Sequence, residues 1–133
     1  MNHIISYVST ASKSLSNSDI KELFNFVEEF NNKNSITGIL MYSNGNFFQI
    51  LEGDEETILV LFEKIKKDSR HYDIIKMLDK EIDTSSFFKY NSSFTTRLGD
   101  QPIQIPENLI KQNDQAEHYK STYYLLQKFM SHP

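Results

Sequence analysis

Residues 36–53 read ITGILMYSNGNFFQILEG and contain two short apolar segments on either side of Asn44-Gly45. Asn and Gly both tolerate a positive φ, which the type I′ turn of a tight β-hairpin requires. The flanking segments, residues 36–43 and 46–52, are rich in aliphatic and aromatic side chains, as strands are. The stretch therefore predicts a β-hairpin whose second strand ends at Gly53.

Strands and helices alternate on both sides of this hairpin. Residues 3–9 predict a first strand, and Ser16 with Asp19 is a capping signal for a helix of about three turns that the amide-rich residues 31–35 break. A second helix opens after the hairpin, and residues 73–82 and 89–97 predict a fourth and a fifth strand. The order βαββαβ is typical of an α+β, ferredoxin-like fold.

This strand order predicts how the sheet is assembled. We expect right-handed crossovers to place the first and third strands side by side and parallel at its centre. Alternation puts the odd-numbered residues 47–51 on one face and the even-numbered residues 48–52 on the other, and both sets are largely apolar. Two helices cover only one face, so we expect a helical segment within residues 107–131 to cover the second; an oligomer contact is the alternative.

Composition excludes several classes of function. The chain has 133 residues, a net charge of −4 and no cysteine, which rules out disulfides, thiolate metal sites and cysteine nucleophiles. Its four His residues are scattered, so no metal site is predicted. Acidity without clustered Lys and Arg argues against nucleic acid, and no apolar run approaches the ~20 residues that cross a bilayer. With no signal peptide evident at the start, we predict a cytoplasmic protein.

Gln49 is a polar residue in the middle of an otherwise apolar central strand. A buried amide without a partner costs about 1–3 kcal/mol, so this side chain needs a neighbour or a ligand. Tyr7 on the first strand and Asn31 at the exit of the first helix can approach the same space. A phenol and two amides offer donors and acceptors that suit a flat heteroaromatic ring; a backbone or hydroxyl partner for Gln49 is the alternative.

The sequence resembles the BLUF domain, a family of flavin-based blue-light sensors, over about residues 1–95. The matching blocks are Tyr7 within Ile-Ser-Tyr-Val-Ser, Asn31 followed by Ile36-Thr37-Gly38, Phe47-Phe48-Gln49-Ile50-Leu51-Glu52-Gly53, Phe62-Glu63-Lys64-Ile65, and Lys67-Asp68-Ser69-Arg70-His71. Their spacings also fit the family. The remaining tail resembles the helical cap of short members, so we predict a flavin-binding domain at residues 1–98 and a cap of the same domain at residues 99–133.

The resemblance implies a light sensor and not an enzyme, with FAD held noncovalently between the first two helices. Tyr7 is the implied electron donor, and Gln49 bridges its phenol and the N5/O4 edge of the flavin. Asn31 is expected to bond the C4 carbonyl/N3 edge, and Ile36 to pack on the ring. The positions on the ribityl-phosphate side are Lys64, Asp68, Arg70 and His71. Solvated charges at a helix end are the alternative for these four.

Two positions depart from the family pattern. Members often carry Trp and then Met in the fifth strand, where this chain has Tyr90 and Ser92, and it contains no Trp at all. Since that segment is implicated in relaying the signal, the sequence does not decide by which route this chain passes its signal on. Tyr90 is a candidate second electron donor, with strand packing as the alternative. We expect an unknown downstream protein partner, a homo-oligomer, and neither nucleic acid nor membrane as a partner.

Two other functions compete with light sensing. An acylphosphatase-like hydrolase would need an anion-binding loop with an Arg, but the loop after the first strand, Thr10-Ala11-Ser12-Lys13, has neither Arg nor Gly. A ferredoxin-like interaction module without a cofactor is the other alternative. Purified protein is expected to be yellow if it is the sensor and colourless in either of the other cases.

Overall fold

The computed structural model describes residues 2–82 and 94–98. Within them the elements follow the predicted order: β1 (Asn2–Ala11), α1 (Asn17–Lys33), β2 (Thr37–Ser43), β3 (Asn46–Asp54), α2 (Glu55–Lys66), β4 (His71–Ile82) and β5 (Phe94–Leu98). The fold is α+β and ferredoxin-like, as predicted. The predicted C-terminal helical segment, Tyr90 and Ser92 lie outside the described residues.

The sheet has the strand order β4-β1-β3-β2-β5. The prediction that β1 and β3 are neighbours is confirmed, but the predicted parallel direction is wrong: they pair antiparallel, with Tyr7 opposite Gln49. The crossover through α1 makes β1 parallel to β2 and leaves room for one strand between them. Because the tight hairpin reverses the chain, β3 enters that gap antiparallel to both neighbours.

Helix α1 has 17 residues, more than the predicted three turns, and ends inside the amide-rich segment of residues 31–35. Ser16 and Asp19 form the predicted capping box at its start. The helix then continues through Asn31 to Lys33, and the side-chain amide of the C-cap residue Asn34 donates to the carbonyl of Phe30 over 2.8 Å. The prediction that residues 31–35 break the helix is confirmed, and the amide that competes for the backbone there is that of Asn34. Asn31 therefore projects from the last helical turn.

The hairpin turn has the backbone that its sequence requires. Asn44 has φ +52° and Gly45 has φ +80°, both in the left-handed region that a type I′ turn uses. Helix α2 begins after the hairpin, where the Asp54 side chain accepts a hydrogen bond from the Thr57 N–H over 3.3 Å. These local signals fix the turn between β2 and β3 and the start of α2.

Both faces of the sheet are buried. One face packs against the two helices in a core that includes Ile5, Leu51 and Phe62. On the opposite face Ile4 and Phe48 are fully buried, which agrees with the predicted need for cover on both sides. Within residues 2–82 and 94–98, no helix is both long and apolar enough to cross a bilayer. The cytoplasmic location stays a prediction.

Candidate functional site

A cavity of about 220 Å³ lies where the sheet meets α1 and α2. Tyr7 and Gln49 form part of its wall from the sheet, and Asn31 contributes from α1. Apolar side chains supply much of the rest, including Leu23, Phe26, Val27 and Phe30 of α1 and Leu61 and Ile65 of α2. Binding pockets typically measure about 300–1,000 Å³, so this cavity can enclose a planar ring but only part of a dinucleotide.

Tyr7 and Gln49 meet at the cavity through a direct hydrogen bond. The Tyr7 hydroxyl donates to Gln49 Oε1, and each residue is only 3% exposed. Burial, and secondly the Asp68 carboxylate, raise the pKa of Tyr7 well above its ordinary value of 10.0. The phenol therefore stays protonated near neutral pH and keeps its hydrogen for Gln49.

Asn31 brings an unsatisfied donor to the same cavity. The residue is 2% exposed, and its side-chain nitrogen Nδ2 is buried without a hydrogen-bond partner. Leaving such a group unpaired costs about 1–3 kcal/mol, so a site that tolerates it is suited to a ligand with an acceptor at this point. The edge of a flavin ring carries such acceptors, and the cavity residues therefore fit the implied cofactor.

Charged side chains line one part of the cavity wall. Asp68 accepts hydrogen bonds from Arg70 Nε over 2.9 Å and from the Arg70 N–H over 3.0 Å. The side-chain bond from Arg70 holds the pKa of Asp68 below its ordinary value, against the effect of partial burial. Lys64 also lines the cavity and pairs with no acidic side chain in the part of the chain that the structure describes. Its charge is therefore available to a ligand.

His71 is held by two polar neighbours. Its Nδ1 lies 2.7 Å from Ser9 Oγ, and its Nε2 lies 2.7 Å from the carbonyl oxygen of Ile65.

The structure brings seven of the eight predicted site residues to one cavity. The exception is Ile36, which is 1% exposed in the core and is not among the residues that line the cavity.

Sequence reasoning missed most of the apolar wall. The helical spacing of Leu23, Val27 and Phe30 predicted a stripe that faces the core. Periodicity separates buried from exposed positions, but it does not distinguish a packed core from the wall of a cavity. Phe26 lies outside that stripe and is 61% exposed, yet its ring stacks on Phe30 with centroids 6.1 Å apart. The signal available in the sequence was the aromatic residue Phe26, which lies beside the amphipathic stripe of α1.

No metal chemistry is indicated at this cavity. Among residues 2–82 and 94–98, no group of three or more His, Asp and Glu side chains is placed to hold a metal ion. The site instead combines an oxidisable phenol, two amides and an unpaired ammonium group around an apolar slot. This arrangement is suited to an aromatic cofactor with an anionic extension.

Comparison with known proteins identifies the class. The sequence profile of the BLUF family, sensors of blue-light using FAD, matches residues 2–93, and the chain therefore belongs to this family. FAD is the cofactor that the family uses, as predicted. The domain is a sensory module, which confirms the prediction of a sensor over an enzyme.

Curated relatives share this domain within longer proteins. The chain is 37% identical over 59 residues to the blue light- and temperature-regulated antirepressor BluF of Escherichia coli K12, covering 44% of this chain and 15% of that protein. It is 37% identical over 71 residues to the photoactivated adenylate cyclase subunit beta of Euglena longa, covering 53% of this chain and 8% of that protein. The chain thus matches only a small part of either relative.

Solved structures share the fold. A bacterial light-regulated adenylyl cyclase is 31% identical with a TM-score of 0.67, covering 97% of this chain and 37% of that one. The photo-activated state of BlsA is 26% identical with a TM-score of 0.67, covering all of this chain and 97% of that one. The second comparison pairs two chains of nearly the same extent.

Proposed function

We propose that this chain is a blue-light photoreceptor in which Tyr7 is the electron donor and Gln49 is the switch. The observation that carries the proposal is the hydrogen bond from the Tyr7 phenol to Gln49 Oε1 at the wall of the cavity. An oxidisable group and a rotatable amide are thereby connected before any light is absorbed. The register of β1 and β3 holds them opposite each other.

The described residues can hold FAD noncovalently between α1 and α2. Asn31 offers its unpaired Nδ2 to an acceptor on the ring edge, and Gln49 retains its NH₂ group as a donor after accepting from Tyr7. Lys64 suits the diphosphate, since the charge of Arg70 is largely balanced by Asp68. The cavity size supports enclosure of the ring with the dinucleotide part extending outward.

The reaction that we propose uses only this chain's phenol and amide. Bound flavin supplies the chemistry of light absorption and a strong one-electron oxidant. Tyr7 gives up one electron to this oxidant, and its oxidised phenol becomes acidic and passes its proton on through Gln49 Oε1. When the electron and proton return to Tyr7, the Gln49 amide is left rotated or tautomerised, with changed hydrogen bonds. No product leaves, so the state reverts thermally.

Absorption spectroscopy tests this function directly. The full chain, purified in the dark and supplied with FAD, is expected to show a flavin spectrum that shifts slightly red under blue light and recovers in the dark. A chain that binds FAD without this reversible shift contradicts the proposed photochemistry. Protein that binds no flavin contradicts the proposed site itself, as it would for an interaction module or a hydrolase.

We further propose that residues 99–133 cap the second sheet face within one domain and that the signal passes to a downstream protein. Complete burial of Ile4 and Phe48 on that face supports a cover. The relatives' names, an antirepressor and cyclase subunits, support a protein output.

Light scattering of the full chain in the dark and under blue light tests the predicted homo-oligomer; a monomer in both states contradicts it.

A further inference from the structure

His71 has no ring nitrogen left for a ligand. The carbonyl oxygen of Ile65 can only accept, so His71 Nε2 donates to it over 2.7 Å. In the neutral ring, Nδ1 then accepts from the Ser9 hydroxyl over 2.7 Å. Although the side chain lines the cavity, only its ring surface is available there. A hydrogen bond from His71 to a phosphate would require one of these two contacts to break.

The two contacts join different parts of the site. Ile65 lies in the last turn of α2, where helical carbonyls lack intrahelical partners, and its oxygen also accepts from the Asp68 N–H over 3.2 Å. Ser9 lies two residues after Tyr7, on the same face of β1. His71 therefore ties the end of α2 to the strand that carries the proposed electron donor.

The ring of His71 also packs beside the phenol. Its centroid is 6.1 Å from that of Tyr7, with the planes tilted by 54°, and 6.4 Å from that of Phe47 in an edge-on arrangement. Tyr7 contacts Phe62 of α2 as well, with centroids 5.7 Å apart. The phenol thus touches two rings, and the hydrogen bonds of His71 fix the position of one of them.

We propose that His71 is a positioning residue that fixes the end of α2 against Tyr7, and not a ligand of the cofactor's phosphates. This role differs from the phosphate-side contact that the family resemblance implies for His71. It rests on the proposed function, because the geometry that it maintains is that of the Tyr7–Gln49 pair. Lys64, which has no ion pair in the described residues, makes a charge contact with phosphate unnecessary for His71.

Three variants separate positioning from phosphate binding. His71→Phe keeps a ring but removes both hydrogen bonds, while His71→Gln can donate to Ile65 and accept from Ser9. Lys64→Gln serves as the comparison that removes a phosphate-side charge. The affinity of each full-length protein is measured for FAD and for riboflavin, which lacks the phosphates, and amide exchange is followed for the peptide that contains Asp68.

For His71→Phe we expect the affinities for FAD and riboflavin to fall by the same factor, so that their ratio matches the wild type. Exchange at the end of α2 should rise about tenfold, as the loss of two hydrogen bonds implies. The yield of the red-shifted state should also fall. His71→Gln should recover the slow exchange and most of the yield. Lys64→Gln should lower the affinity for FAD alone and leave exchange unchanged.

Two outcomes would overturn the inference. If His71→Phe weakens FAD binding but not riboflavin binding, His71 is a phosphate ligand. If exchange at the end of α2 stays at the wild-type rate, His71 does not fix that helix. Failure of the proposed function looks different, because the wild-type protein itself would then lack bound flavin or its red shift, while amide exchange would still report on His71.

Discussion

Tyr7 and Gln49 are direct cross-strand partners in the antiparallel ladder of β1 and β3, and the phenol donates to the amide oxygen. Backbone hydrogen bonds on both sides fix the separation of the two Cα atoms. The backbone ladder, and not the side-chain bond, sets this register, which makes the pair suitable for substitution.

The first prediction concerns the cofactor. We expect flavin to copurify with the protein, mainly as FAD, because Asn31 and Gln49 suit the ring and Lys64 suits the diphosphate. Denaturation should release it, since the chain has no cysteine to form a thioether. Chromatography of the supernatant after denaturation measures this. Colourless, well-expressed protein or flavin that remains attached to the chain would contradict it.

The second prediction concerns Gln49. Gln49→Leu keeps a similar volume but removes the acceptor of the Tyr7 hydroxyl, so the red shift should be abolished while flavin remains bound. Leaving the buried hydroxyl unpaired should lower the free energy of unfolding by about 1–3 kcal/mol. Difference spectra and urea titrations measure both effects. A variant that photocycles like the wild type would make Gln49 a structural residue.

The third prediction concerns the electron donor. Tyr7→Phe keeps the aromatic packing but is much harder to oxidise and has no proton to transfer, so the yellow colour should remain and the red shift should disappear. Tyr90→Phe is the comparison, because Tyr90 is the candidate second donor. Steady-state and time-resolved spectra compare the two. A full shift in Tyr7→Phe that vanishes only when Tyr90 is also changed would transfer the donor role to Tyr90.

The fourth prediction concerns Asn31. Asn31→Leu removes the buried, unpaired amide, so the flavin-free protein should be at least as stable as the wild type while its affinity for FAD falls. Asn34→Ala is the matched control: it removes the exposed amide that caps α1 and should cost about 1 kcal/mol of stability with little effect on affinity. Loss of stability in Asn31→Leu without loss of affinity would assign Asn31 to the fold.

The fifth prediction concerns alkaline pH. The folded protein holds the Tyr7 proton above the ordinary pKa of 10.0, whereas the unfolded chain releases it near that value. Above about pH 10 the unfolded state therefore binds fewer protons, and the free energy of unfolding should fall by up to about 1.4 kcal/mol per pH unit from this group.

Urea titrations of wild type and Tyr7→Phe between pH 9 and 11 isolate this effect, because the remaining tyrosines are common to both proteins. The stability difference between them should be constant below about pH 10 and shift in favour of Tyr7→Phe above it. Parallel curves up to pH 11 would mean that the phenol titrates as in the unfolded chain.

Local signals account for what the sequence could predict of the fold and site. The positive φ at Asn44 and Gly45, the capping box of Ser16 with Asp19, and strand alternation depend on a few neighbouring residues. They place the elements in order and put Gln49 on the same face of its strand as Phe47 and Leu51. The family pattern adds the identity of the ligand.

By itself, then, the sequence determined the element order, the two sheet faces, and the family with its flavin. Tertiary structure decided the antiparallel direction of β1 against β3, because the gap that β3 enters exists only once α1 has crossed the sheet. It also decided that Asn31 stays helical and leaves its amide unpaired in the cavity, and that His71 turns both nitrogens toward Ser9 and Ile65. The bonds of Tyr7 with Gln49 and of His71 with Ser9 join residues 42 and 62 positions apart, and hydrogen-bond partners at such separation leave no local pattern in the sequence.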